Sequence, residues 1–356
     1  MSLRSLLGGA AVSAMLATAA AGPAHAETID ATVVNGHPPV FLWVKTLSEA
    51  FIPAVDQALE GTDYDIDWME AYGGTLANVG GELEALEDGL AQIGIVPSLF
   101  EPSLLSLQNV SYVTPFGSPD VDLVLTSVDD MHDEIPDMRK LWEEHDLVYL
   151  GGGFGLEDYL LMTQFPVDSI ADLEGRKINA PGPAVNWLKG TGAVGVSGNL
   201  TTYYNDLQTG VTEGVIVFPT AAAAAKLQEV AKYVTRTHFG AQYAGGIVAN
   251  KDWYDGLPDE VKAAIDTGVE AFAKAYRAGL EQRVQAAFTS MEENGAEISE
   301  LSPEAQAEWA NALPNIPMEW AKEQEDKGLA GTVVVETYLD KLRAGGAELP
   351  RDWTQN

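Results

Sequence analysis

The sequence predicts an α/β protein of two lobes joined by a long helix. Three observations lead there. Residues 27–96 alternate strand and helix in a β–α–β–α–β order, the pattern of a mainly parallel sheet with helices packed on it. A second set of short β-prone runs begins at 147. A helical pattern then runs unbroken over 258–295, roughly 50 Å at 1.5 Å per residue, which exceeds the needs of one small lobe.

The elements follow in order. ETIDATVVNG (27–36) reads as a strand ending in an Asn35-Gly36 turn, and apolar residues at 40, 44, 47, 51 and 55 keep helical spacing. YDIDWMEAY (64–72) alternates as a strand, GGELEALEDG (80–89) is a short helix closed by Gly89, and AQIGIV (91–96) is a buried strand. LVYLGGGFG (147–155) and EDYLLMTQFPV (157–167) open the second lobe; in the latter, alternation puts Glu157, Tyr159 and Leu161 on one face. RKINAP (176–181) and GVIVF (214–218) are further strands flanking a helix that carries TTYYNDLQTG, and GGIVAN (245–250) is another. In the long helix, Val261, Ile265, Val269, Phe272, Tyr276, Leu280, Val284, Phe288 and Met291 step by three or four, with Asp259 as the expected N-cap and Gly295 as the stop. SPEAQAEWANAL (302–313) starts a helix with Ser302 as cap and Pro303 at its first position. These runs suggest one lobe of 27–150 plus about 245–275, a second of 151–244 plus about 276–310, and a C-terminal helical segment, 311–356, packed on both.

The first residues carry a basic Arg4, an apolar run from Leu6 to Ala21 and an Ala24-His25-Ala26 cleavage pattern. This is a signal peptide of 1–26, cut after Ala26, and implies an exported, periplasmic protein. The chain has no cysteine, which excludes disulfides, thiolate metal sites and cysteine nucleophiles. Against 20 Lys and Arg stand 53 Asp and Glu, a net charge of −33. Such a field repels nucleic acid and anionic membranes, and an anionic ligand would need a strong local cation. With 46% hydrophobic residues the chain still has material for a packed core.

Catalytic and cofactor motifs are missing. GVSGN (195–199) fails the nucleophile-elbow spacing, GGGFG (151–155) lacks the third glycine of a dinucleotide fingerprint, and there is no Walker motif. His37, His132, His145 and His238 show no ligand spacing. Neither an enzyme nor a bound metal or cofactor is expected.

DLEGRKINAPG (172–182) and YYNDLQTGVTEG (203–214) resemble the solute-binding proteins of TRAP transporters, the tripartite ATP-independent periplasmic class. The upstream loop Gly73-Gly74-Thr75-Leu76, the Pro115-Phe116 pair and WYDGLPDEV before the long helix agree in order and spacing. The resemblance implies a two-lobe periplasmic binding protein of the Venus-flytrap kind, with crossing strands and a lobe-spanning helix. It also implies a protein that encloses a small-molecule solute and is read by TRAP membrane subunits, one small and one large; a monomer is expected.

In most of that family the position of Asn179 is an arginine, which pairs with a ligand carboxylate; some members place a second arginine at the position of Tyr159, and a third polar position falls at Val217. The guanidinium fork that suits a carboxylate is therefore gone. Glu157, two residues from Tyr159, is expected beside it as the counter-charge for a cation, with Phe41, Trp187, Tyr204 and Phe218 as aromatic candidates and His37 at the first strand's end. A small amine or amino alcohol of ethanolamine size is the expected solute. Other readings remain open: an acid ligand held through Arg176 or a metal, an exported α/β enzyme, or a binding protein of the ABC class.

Overall fold

The structure, a computed structural model, describes residues 26–355. All of the stretch expected to be a signal peptide except its final position, Ala26, lies outside the described residues, and so does Asn356. Two sheets organise the chain. The first contains β1 (Glu27–Asn35), β2 (Tyr64–Tyr72), β3 (Ile93–Pro97) and β4 (Leu147–Leu156). The second contains β5 (Leu160–Thr163), β6 (Lys177–Pro181), β7 (Val194–Gly198), β8 (Gly214–Val217) and β9 (Tyr233–Arg236). The chain then returns to the first sheet as β10 (Gln242–Asn250) and ends its strands in the second as β11 (Glu297–Glu300).

Strand order is β2-β1-β3-β10-β4 in the first sheet and β11-β9-β5-β8-β6-β7 in the second. Parallel β1–β2 and β1–β3 pairs come from the β–α–β–α–β opening, whereas β10 runs antiparallel to both β3 and β4. Full burial of β3 and β10 explains their nearly continuous apolar sequences, since central strands are covered on both faces.

Three connections tie the sheets. Residues 157–159 carry β4 into β5, residues 237–241 carry β9 into β10, and the helix Asp259–Glu293 leaves the first sheet's helices for β11. That helix packs on β4, on the helical stretch 42–59 and on the second lobe's helix Pro219–Ala224. Its buried Val261, Ile265, Val269, Phe272, Tyr276 and Leu280 form the predicted stripe. Pro258, not Asp259, occupies the N-cap position, and no side chain caps the helix start. Ser302 caps the helix Pro303–Ala312 by accepting from the Ala305 N–H at 3.2 Å.

Two local departures from the expected pattern have clear causes. Alternation predicts one strand over 157–167; only Leu160–Thr163 is paired, and 157–159 is the extended crossover. The helix over 42–59 widens into a π-turn at Leu47–Phe51, just before Pro53, which has no N–H to continue the regular ladder.

Candidate solute-binding site

A narrow cavity of about 40 Å³ lies between the two sheets, next to the crossovers. The first sheet's side supplies His37, Trp43, Val79, Pro97, Leu99 and Phe100; the strands leading to the crossovers supply Phe154, Leu156 and Tyr159. From the second come Pro181, Asn199, Leu200, Thr201, Tyr203 and Ile216 to Phe218. No Lys, Arg, Asp or Glu lines it.

His37 enters because the chain turns sharply after β1. Its backbone N–H donates to Asn35 Oδ1 at 2.9 Å, and Asn35 Nδ2 in turn donates to the Ile95 carbonyl at 3.0 Å. The imidazole packs edge-on against Trp43 (5.2 Å between centroids) and Phe41 (5.3 Å). Burial lowers its pKa to about 4, so the ring is neutral at pH 7. Trp43 stacks on Phe41 at 4.8 Å and touches Phe154 at 5.2 Å. Across the cavity, Tyr159 lies against Phe218 (5.5 Å), and its hydroxyl is 3.0 Å from that of Tyr112. Tyr203 donates to the Gly198 carbonyl at 3.2 Å.

Four of the residues singled out in the sequence meet at this cavity: His37, Tyr159, Val217 and Phe218. The other five stand elsewhere. Phe41 backs Trp43 and faces an outer groove with Val40 and Arg283. Trp187 is a core residue; its Nε1 donates to the Tyr112 carbonyl at 2.6 Å, and it packs behind Tyr159. Tyr204 points outward to Glu229 at 2.9 Å.

Glu157 does not share the face of Tyr159, because the crossover lacks the two-residue period of a paired strand. Its carboxylate is buried and accepts from the Thr220 N–H at 2.6 Å, at the start of helix Pro219–Ala224. It borders the wide groove behind the crossovers, and burial pushes its pKa up. Asn179 lies one layer behind the wall. Its Nδ2 donates to Thr212 Oγ1 at 2.9 Å and to Asp206 at 3.1 Å, beneath Gly198. Arg176 is half-exposed, paired with Glu213 at 2.5 Å and stacked over Phe165.

Three buried polar atoms in and behind the wall find no partner among the described residues: His37 Nδ1, Trp43 Nε1 and Asn179 Oδ1. Buried polar groups are seldom left unpaired, so these three atoms keep hydrogen-bonding capacity that the described residues do not use. Sequence reasoning missed Trp43, Phe154 and Tyr203. Trp43 sits two residues from Phe41, and only the placement of its helix decides which ring enters the cavity.

Among the described residues, no cluster of His, Asp and Glu is arranged for a metal, and no helix is long and apolar enough to cross a membrane. A solvent-shielded, uncharged cavity between two sheets joined by three connections defines a two-lobe solute-binding protein. The family model of the bacterial extracellular solute-binding proteins, family 7 (DctP), matches residues 44–324, and the chain belongs to that family. It is therefore a solute receptor of the TRAP type and not an enzyme.

A C4-dicarboxylate-binding periplasmic protein DctP of Rhodobacter capsulatus is 31% identical over 122 residues, 33% of this chain and 36% of that relative. The match thus spans about a third of the curated relative's length. Among solved structures, a TRAP periplasmic solute-binding protein from Desulfovibrio salexigens superposes with a TM-score of 0.77 at 20% identity, covering 92% of this chain and 99% of its own. A marine metagenome protein specific for aromatic acid ligands, from an unidentified microbe, gives 0.76 at 20% identity, with coverages of 89% and 99%. At these identities the structural likeness establishes the fold.

Proposed function

We propose that the protein captures a small amine or amino alcohol, of ethanolamine size, and delivers it to TRAP-type membrane subunits. The observation that carries this reading is the composition of the cavity wall: aromatic faces and neutral polar atoms, with no arginine or lysine. A carboxylate buried there would lack a counter-charge, a costly state. An ammonium group instead gains from the faces of Trp43, Tyr159 and Phe218. The neutral His37 imidazole accepts or donates one hydrogen bond, and Trp43 Nε1–H is a donor for a hydroxyl oxygen. With Glu157 turned away, the cation is held by rings and by the general field of a chain of net charge −33, not by a paired carboxylate.

The same reading takes residues 1–26 as a cleaved signal peptide and places a monomer in the periplasm. It assigns 27–150 with about 245–275 to one lobe, 151–244 with about 276–310 to the other, and 311–356 to a segment packed on both. Genes for a small and a large membrane subunit beside this one, without an ATPase gene, would support the partner assignment.

A thermal-shift panel of ethanolamine, short alkylamines, succinate and glucuronate tests the ligand class, with titration calorimetry on the hits. A true ligand at 100 times its Kd stabilises by ~2.7 kcal/mol. Amines are expected to raise the melting temperature. A panel in which only the acids do so overturns the reading.

A further inference from the structure

The cavity wall on the first lobe is built from two loops, and one buried carboxylate joins them. Glu82, 1% exposed, opens the helix Glu82–Glu87. One carboxylate oxygen accepts the Gly36 N–H at 2.8 Å and the other accepts the Gly80 N–H at 2.7 Å. Gly36 precedes His37 and Gly80 follows Val79, and both of those neighbours line the cavity. The loops touch so closely that a Cβ on Gly36 would lie 2.3 Å from the Val79 nitrogen. No lysine or arginine among the described residues forms a salt bridge with Glu82. Its two oxygens are engaged by loop N–H groups.

We propose that Glu82 is the positioning residue of the solute site, acting through His37 and Val79 without touching the solute. The proposal rests on the reading that this cavity receives the solute. An ionised carboxylate accepts both N–H groups; a protonated one presents an O–H in place of one acceptor, and one loop is released. Burial raises the Glu82 pKa to about 7 against the opposing effect of the Gly36 and Gly80 N–H groups and its own, so both forms are present near neutrality. Among the segments packed round it, Glu101 adds to the upward shift, and His37 is already neutral with a pKa of about 4. The 78–81 loop and β3 contain no titratable side chain. A solute that packs on His37 and Val79 favours the doubly clamped, ionised form. Binding then releases a proton, and affinity rises as pH increases through about 7 and levels off above it.

The test uses the full mature chain in two arms. In the ligand-free protein, ¹⁵N-resolved NMR should show the Gly36 and Gly80 amides titrating together with a midpoint near 7; in Glu82→Gln neither should titrate. In the second arm, calorimetry with ethanolamine at pH 8 should show about tenfold weaker binding for Glu82→Gln, at a temperature far below unfolding. The acid-side loss of affinity seen in the native protein should also vanish. If ethanolamine fails to bind the native protein, the amine reading falls and the NMR arm alone decides the role of Glu82. Separate midpoints for the two glycines, or unchanged glycine titrations in Glu82→Gln, overturn the proposal. So does native-like affinity and pH dependence in a Glu82→Gln protein that binds ethanolamine. A variant that merely melts earlier, with affinity unchanged, assigns Glu82 a structural role and overturns it as well.

Discussion

Asn179 donates its side-chain N–H to Thr212 Oγ1 at 2.9 Å, and neither residue lines the cavity. The amide is thereby tied into its own lobe, and its carbonyl oxygen is the part left without a partner. Asn179→Ala should strand both Thr212 and Asp206, destabilising the fold by about 1–3 kcal/mol; urea denaturation measures it. Asn179→Arg is expected not to create a carboxylate site, because Asp206 lies beside the new guanidinium and Gly198 crowds it. Calorimetry with succinate should show no binding.

The stacked pair of Trp43 and Phe41 makes a second prediction. If an ammonium group is held by ring faces, Trp43→Leu should weaken ethanolamine binding by about 0.5–2 kcal/mol, or roughly 2- to 30-fold in Kd. Tyr204→Leu, on the outward-facing side of its helix, should leave Kd unchanged. Equal effects of the two substitutions would remove the aromatic wall from the account.

His238 and Asp158 give a pH-dependent prediction. They sit on different crossovers, with His238 Nδ1 2.7 Å from an Asp158 oxygen and Nε2 3.2 Å from Glu300. Asp158 also accepts the Gly240 N–H at 2.9 Å. Hydrogen bonding to Asp158 raises the His238 pKa above its ordinary value, against desolvation. A folded pKa above the unfolded one means that the contribution is fully present below about 6.5. It is lost as pH rises through the folded value. His238→Asn keeps a residue tolerant of the left-handed backbone found there (φ 54°). It should cost stability at pH 5.5 and little at pH 9, as read by denaturation at each pH.

Salt should matter as well. At −33, repulsion between surface carboxylates opposes compaction. Screening shortens from ~10 Å at 0.1 M to ~3 Å at 1 M ionic strength. The melting temperature should therefore rise with NaCl over that range; a flat or falling curve would show that the acidic surface is already compensated.

Local periodicity carried much of this architecture. The alternation in 64–72 marks β2 to the residue, and the apolar stripe of the long helix marks its 35 residues to within two at either end. The crossovers were less legible, because a segment passing between sheets has strand composition without a strand's partners; Glu157 was misplaced for that reason. Residues at the cavity divided along the same line. Tyr159 and Phe218 follow from position in the chain, but Trp43 and Tyr203 reach the cavity only through how their helices pack. Glu82 was invisible because an acidic residue at a helix start is ordinarily solvated, and its burial comes from the distant Gly36 loop closing against the loop just before its own helix.

The three passages between the sheets have a consequence for how such receptors diversify. Neither half is encoded by one continuous stretch, so a single recombination event between two relatives cannot exchange an intact half. It would splice strands of one parent into a sheet of the other, in which β10, central and antiparallel to both β3 and β4, must match neighbours on either side. If the cavity is the solute site as proposed, point changes at wall positions such as His37, Trp43 and Phe218 alter it without disturbing either sheet, which shuffling of segments would do.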